Sequence, residues 1–196
     1  MRRALALTAC LTLAGCATPP RPAAPYVAPD PAAFPSWVAS GRMAVAARGD
    51  GGSGSFEWRQ VGDVSTLSLA GPLGAGAMRV TIAGEQPSVV DGDGRALGPE
   101  ETRDFLRRRL GTDLPWGELR YWMLGVPAPG SPSTVGDASG DPGRVIEQSG
   151  WRVDYSAYES AGGASLPTRF TATADGVKLK VMVDRWGAPP ADGGGR

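Results

Sequence analysis

The sequence predicts a mainly β domain: an antiparallel meander that curls into a barrel or half-barrel and is interrupted once by two helices. Three observations predict it. Apolar and charged residues alternate in Phe56-Glu57-Trp58-Arg59, in Trp151-Arg152-Val153-Asp154-Tyr155 and in Val177-Lys178-Leu179-Lys180-Val181, as in strands with one buried and one wet face. Short polar or glycine-containing turns separate such runs, which implies antiparallel neighbours. Between two blocks of strands the spacing changes to three and four, with helix start and stop signals at the ends.

In order, the chain begins with Arg2 and Arg3, an apolar run from Ala4 to Ala14, and small residues before Cys16. Basic start, short apolar middle and small-residue exit are the parts of a secretory leader. The run falls well short of the ~20 residues that a membrane-spanning helix needs. Leu13-Ala14-Gly15-Cys16 resembles the bacterial lipobox. The resemblance implies that residues 1–15 are removed and that the Cys16 thiol carries lipid. With Ala17 rather than Asp next, it also implies sorting to the outer membrane, facing the periplasm. An ordinary cleavable leader with an incidental cysteine is the alternative. Cysteine arithmetic weighs against it: Cys10 leaves with the leader, so the mature chain holds Cys16 alone and has no disulfide to make. Residues 16–36 carry prolines at 19, 20, 22, 25, 29, 31 and 35, a density that favours an extended tether. Such a tether reaches about 60 Å at ~3.1 Å per residue.

The folded domain is expected over residues 37–186. Beyond the three alternating runs, strands are predicted at 38–47, 64–70, 78–83, 88–91, 144–148 and 166–174. Turns are predicted at Gly49 to Gly54, Gly62-Asp63, Asp91 to Gly94 and Asp175-Gly176. The first helix opens at Pro99, carries Glu100 and Glu101 in its first turn and Arg107, Arg108 and Arg109 in its last, and stops at Gly111. Those charges suit the helix dipole at both ends. The second runs from about Trp116 to Leu124 and stops at Gly125, with Trp116, Leu119, Trp122 and Met123 on one side. A Pro/Gly/Ser-rich loop is expected over 127–143, and a disordered tail over 187–196.

Composition narrows the function. The net charge is 0, and −2 once Arg2 and Arg3 leave with the leader, so no nucleic-acid partner is implied. Histidine is absent, which removes the commonest general base and the commonest transition-metal ligand. A single remaining cysteine rules out structural zinc. No Gly-x-x-x-x-Gly-Lys-Ser/Thr pattern occurs, Gly71 to Gly76 lacks the closing glycine of a dinucleotide fingerprint, and Asp91-Gly92-Asp93-Gly94 lacks the later ligands of an EF-hand. The reading is a non-enzyme with no cofactor and no metal.

The ordered set of motifs is more specific than any one of them. It comprises Trp37 with Gly41-Arg42, Phe56-x-Trp58-x-Gln60, Gly71-Pro72-Leu73-Gly74, Leu110-Gly111 with Leu114-Pro115, and Tyr121-Trp122 with Gly125. Gln148-x-Gly150-Trp151-x-Val153, Leu166-Pro167 and Lys178-Leu179-Lys180 leading to Trp186 complete it. This set resembles the LolB family of outer-membrane lipoprotein receptors across nearly the whole mature domain. The departures are the glycine-rich stretch Gly49 to Gly54 and the loop 127–143.

The resemblance implies an open antiparallel half-barrel whose helices cover an apolar cavity. It implies a monomer that accepts the acyl chains of lipoproteins from a soluble, LolA-like periplasmic carrier and inserts them into the outer membrane without nucleotide hydrolysis. An anchored lipid-binding or scaffold protein that never passes cargo on is the alternative. The expected cavity residues are Trp58, Leu67, Leu69, Met78, Val80 and Ile82 from the sheet, and Leu119, Trp122 and Met123 from the helical cover. Periodicity does not separate a hollow barrel from a filled one, so for each of these a solid core is the competing reading. Leu73, held between Pro72 and Gly74 in a loop, is expected to enter the membrane; the competing reading folds it back onto the barrel rim. A basic rim residue, Arg42 for example, is a candidate contact for an acidic carrier surface.

Overall fold

Every strand pairs antiparallel with its neighbour, and every connection between consecutive strands but one is short. The exception passes through both helices and joins the two outer edges of the sheet. The computed structural model describes residues 25–47, 50–74, 76–137 and 143–189; the expected leader, Cys16 and the end of the expected tail lie outside the described residues. The strands are β1 (Ser36–Ala47), β2 (Asp50–Val61), β3 (Val64–Ala70), β4 (Met78–Ala83), β5 (Gln86–Val90), β6 (Ser133–Asp137), β7 (Arg144–Gln148), β8 (Trp151–Ala161), β9 (Ala164–Ala174) and β10 (Val177–Gly187). Helices α1 (Pro99–Leu110) and α2 (Leu119–Leu124) lie between β5 and β6.

The sheet order is β5-β4-β3-β2-β1-β10-β9-β8-β7-β6. The chain starts at the middle with β1, meanders out to β5, crosses by α1 and α2 to the opposite edge, and meanders back until β10 lies beside β1. β5 and β6 do not pair, so the sheet is open rather than a closed barrel. It curls because strands carry extra residues. The β1–β10 register shifts between Ser40 and Gly41, and β8–β9 shifts around Ala157. At the first of these the backbones approach so closely that a Cβ on Gly41 would stand 2.0 Å from the Met182 carbonyl oxygen. Only glycine fits there. One parity of the long central strands is buried: Trp37, Phe56, Trp58, Val80, Ile82, Val153, Phe170 and Val181 belong to one core.

α1 begins at Pro99 and ends on Gly111, which is left-handed (φ 76°) and donates its N–H to the Arg107 carbonyl, as the proline and glycine predict. Four expectations need correction. The glycine-rich stretch before Phe56 is not a turn; Gly51 to Gly54 pair in register with Ala46 to Met43 as the first half of β2. Glycine marks turns locally, but a neighbouring strand satisfies its backbone as it would any other. The loop 127–143 contains β6, whose five residues are all exposed; an edge strand wet on both faces shows no periodicity to read. α2 is shorter than expected, with residues 116–118 forming a separate turn.

The fourth correction concerns the tether. The folded part begins well before Trp37. Asp30 caps a 3-10 turn, Pro31–Ala33, by accepting the Ala32 N–H. Val27 donates its N–H to the Ser165 hydroxyl at 3.0 Å, and Ser165 donates its own N–H to the Val27 carbonyl at 2.8 Å. Tyr26 packs edge-on against Tyr158 at 5.1 Å, with the Arg144 guanidinium 4.9 Å from its ring. Proline count reports the loss of backbone donors; it says nothing of side chains that dock. The attachment lies at the end of the sheet away from the β3–β4 connection.

Candidate functional site

The concave face of the sheet and the two helices enclose a cavity of about 80 Å³ lined only by apolar side chains. Of the nine residues expected to line it, the structure places eight there: Trp58, Leu67, Leu69, Met78 and Val80 from the sheet, and Leu119, Trp122 and Met123 from α2. Ile82 is buried but is not part of the lining. It lies two residues beyond Val80, paired with Ser65, where the inner face turns polar. Lining residues that the sequence reasoning passed over include Met43, Val45, Phe56, Phe170, Leu179 and Val181. Most could have been found from the inward parity of the alternating runs. α1 contributes Leu106 and Leu110 and the following loop Leu114.

Two of the lining tryptophans carry an indole N–H that a dry cavity leaves without solvent, and each meets a buried glutamine. Trp58 Nε1 donates to Gln60 Oε1 at 3.4 Å; the Ser65 hydroxyl donates to the same oxygen, and Gln60 Nε2 donates to the Gly62 carbonyl at 2.8 Å. Trp122 Nε1 donates to Gln148 Oε1 at 3.0 Å. Gln148 also accepts the Ala128 N–H at 2.9 Å and donates to the Ala128 and Ser131 carbonyls at 2.8 and 3.1 Å. Both glutamines belong to the ordered motif set, but only Gln60 stands beside its tryptophan in sequence; Gln148 meets one 26 residues away.

The Gln148 bonds fasten α2. Tyr155, fully buried, donates its hydroxyl to the Trp122 carbonyl at 2.8 Å; burial pushes its phenol well above the ordinary value, so it stays a donor. Glu118, at the start of α2, accepts the Ser131 and Ser149 hydroxyls at 2.7 and 2.6 Å. On the other side Arg120 reaches Asp63 at 2.7 Å. Gly125 ends the helix at φ 78°, and a Cβ there would stand 2.9 Å from Pro167 Cγ. α1 is held differently. Its ion pairs, Arg95–Glu101 at 2.7 Å and Arg107–Asp113 at 3.0 Å, run to residues beside it in the chain, and Leu106 and Leu110 supply its grip on the sheet side.

The backbone of Leu73 forms a 3-10 turn, Pro72–Gly74, between β3 and β4. Pro72 and Gly74 are exposed, whereas the Leu73 side chain lies outside what is described. Arg42 is not at the rim. It stands on the outer, exposed face of β1, paired with Asp184 at 3.3 Å, because its parity is opposite to that of Met43.

Among the described residues the site is an apolar slot beneath two helices on the concave face of an open β half-barrel, and that architecture is the class the fold defines. The model of the family described as outer membrane lipoprotein LolB matches residues 35–186. The chain is 35% identical over 152 residues to the outer-membrane lipoprotein LolB of Halorhodospira halophila, covering 76% of this chain and 74% of that one. It is 31% identical over 188 residues to that of Azoarcus sp., covering 94% and 96%. A solved LolA superfamily protein from Nitrosomonas europaea superposes with a TM-score of 0.48 at 13% identity, over 80% of this chain and 87% of that one. The chain belongs to the LolB family.

Proposed function

We propose that this protein is an outer-membrane-anchored lipoprotein receptor, which takes acyl chains from a LolA-like periplasmic carrier into the roofed cavity and yields them to the outer membrane. The observation that carries this reading is the wholly apolar lining beneath two helices. Transfer needs no chemical step. Each buried methylene is worth about 0.8 kcal/mol, so a multi-chain anchor does not cross water free; it moves between sites of rising affinity. Cys16 is the anchor in this reading, and the mature chain acts as a monomer.

The closed slot has to open. Ligand pockets usually measure ~300–1,000 Å³, several times the 80 Å³ found here. α1 is the part proposed to move, since its polar contacts travel with it while α2 is bolted to both halves of the sheet. Met43, Met78 and Met123 line the slot, and their unbranched side chains re-pack readily around a hydrocarbon chain. Leu73, between Pro72 and Gly74, is proposed to enter the bilayer during release.

The test uses protein lacking residues 1–24, which removes Cys16 but keeps Tyr26. Mixed with carrier bearing a fluorescent lipoprotein, it is expected to acquire the label, and the anchored full chain in liposomes is expected to pass the label to lipid. Label that stays on the carrier refutes the receptor. Uptake without onward release identifies a lipid-binding protein that keeps its cargo.

A further inference from the structure

A second space adjoins the slot and is far roomier. It measures about 480 Å³ and shares Met43, Val45, Leu69, Met78 and Leu110 with the slot as its apolar floor. Its other walls bring in polar groups beside Ala47 and Ala70: the backbone of Gly51 to Ser55 in β2, the Ala70-Gly71 segment leading to the Pro72–Gly74 turn, and Arg108 near the end of α1. Arg108 makes no hydrogen bond or ion pair to another described residue, whereas its neighbour Arg107 is occupied by Asp113.

The space exists because β2 stops carrying side chains. Phe56 and Trp58 face inward and line the slot; two and four residues before Phe56, the same parity holds Gly54 and Gly52. Gly54 has a packing reason, since a Cβ there would stand 2.3 Å from the Ala70 carbonyl oxygen. Gly52 has none: nothing lies within 4 Å of a Cβ built on it. A groove with an apolar floor, polar walls and an unpaired guanidinium fits the place where a hydrocarbon chain becomes an ester.

We propose that this groove is a subsite for the diacylglyceryl-cysteine end of the cargo, its ester carbonyls accepting from Arg108 while the chain ends occupy the slot. The inference deepens the receptor reading and rests on it. It makes the groove the passage between slot and membrane turn, since Gly71 immediately precedes that turn.

The experiment measures two ligands on the full-length protein in detergent by quenching of the tryptophans that line the slot. One is 1-bromododecane, a hydrocarbon without a head group; the other is a synthetic S-diacylglyceryl-cysteinyl peptide carrying brominated chains. Wild-type protein is expected to bind both. Gly52→Leu fills the groove where there is open space, and is expected to weaken the lipopeptide about tenfold or more while leaving bromododecane unchanged. Gly52→Ala is expected to do the same to a smaller degree, and serves if the leucine variant melts early. Arg108→Ala is expected to weaken the lipopeptide severalfold without affecting the alkane. Unchanged lipopeptide binding in all three variants overturns the subsite. So does competition by phosphatidylethanolamine as strong as that of unbrominated lipopeptide, because the occupant is then a membrane phospholipid. If the wild type binds neither ligand, the slot reading falls and this inference with it.

Discussion

Gln148 is the residue on which the roof most depends, and Gln148→Leu measures it. Leucine is close to glutamine in size and suits the apolar surroundings, so the perturbation is almost purely one of hydrogen bonding. Four bonds are lost: those accepted from Trp122 Nε1 and the Ala128 N–H, and those donated to the Ala128 and Ser131 carbonyls. A neutral bond contributes ~0.5–1.5 kcal/mol net, and a buried donor left without a partner costs ~1–3 kcal/mol. Trp122 is 2% and Ala128 6% exposed, so neither stranded N–H reaches water without movement. The expected loss is about 4 kcal/mol, a large part of the ~5–15 kcal/mol that a domain has in total. Urea unfolding followed by tryptophan fluorescence reads it as a fall in midpoint at constant slope. An environment-sensitive apolar dye should also bind more strongly to the folded variant, because a loosened α2 opens the slot. A loss below about 1 kcal/mol, with dye binding unchanged, would refute the assignment of Gln148 as the fastening of α2.

Three further outcomes are expected. Leu73→Glu should fold and accept label from the carrier like the wild type but fail to release it to liposomes, since a carboxylate is costly in lipid and nearly free in a wet turn; normal delivery would remove Leu73 from the mechanism. Gly41→Ala drives a methyl group onto the Met182 carbonyl and should cost about 3 kcal/mol or more in the same urea assay. Tyr158→Phe deletes a hydroxyl that makes no hydrogen bond to a described residue and should leave the melting temperature unchanged or raised. Burial pushes the Tyr155 and Tyr158 phenols above the ordinary 10.0, so above that pH the unfolded chain gives up protons that the fold retains. Their contribution is whole below pH 10.0 and falls as pH rises beyond it. The fall should be shallower in Tyr158→Phe, as measured by stability between neutral and strongly alkaline pH.

Much of this molecule is written in local pattern. Local composition and turn signals placed β3, β4 and β7, and proline and glycine placed α1, to the residue, because a short strand between turns and a helix opened by proline and closed by glycine are decided within a dozen residues of chain. Strand parity, the spacing along α2 and the family resemblance together put eight of nine chosen side chains on the lining. Ile82 escaped because the slot ends where Ser65 and Gln60 turn the inner face polar, and no strand records where its neighbour changes character. β6 and the first half of β2 were illegible for a related reason: an edge strand wet on both faces and a run of glycines have no pattern of their own, and their pairing is settled by the strand beside them.

The sequence by itself determined the alternation, both ends of α1 and the order of motifs that marks the family. The tertiary structure alone decided that the sheet stays open, that Tyr26 docks eleven residues ahead of the expected domain start, and that Gln60 and Gln148 answer indole groups inside the cavity. It also decided the size of the slot and the groove beside it. The division is physical: periodicity and capping are energies of neighbours in the chain, while hollowness is a volume left between residues that meet only when the whole sheet has curled.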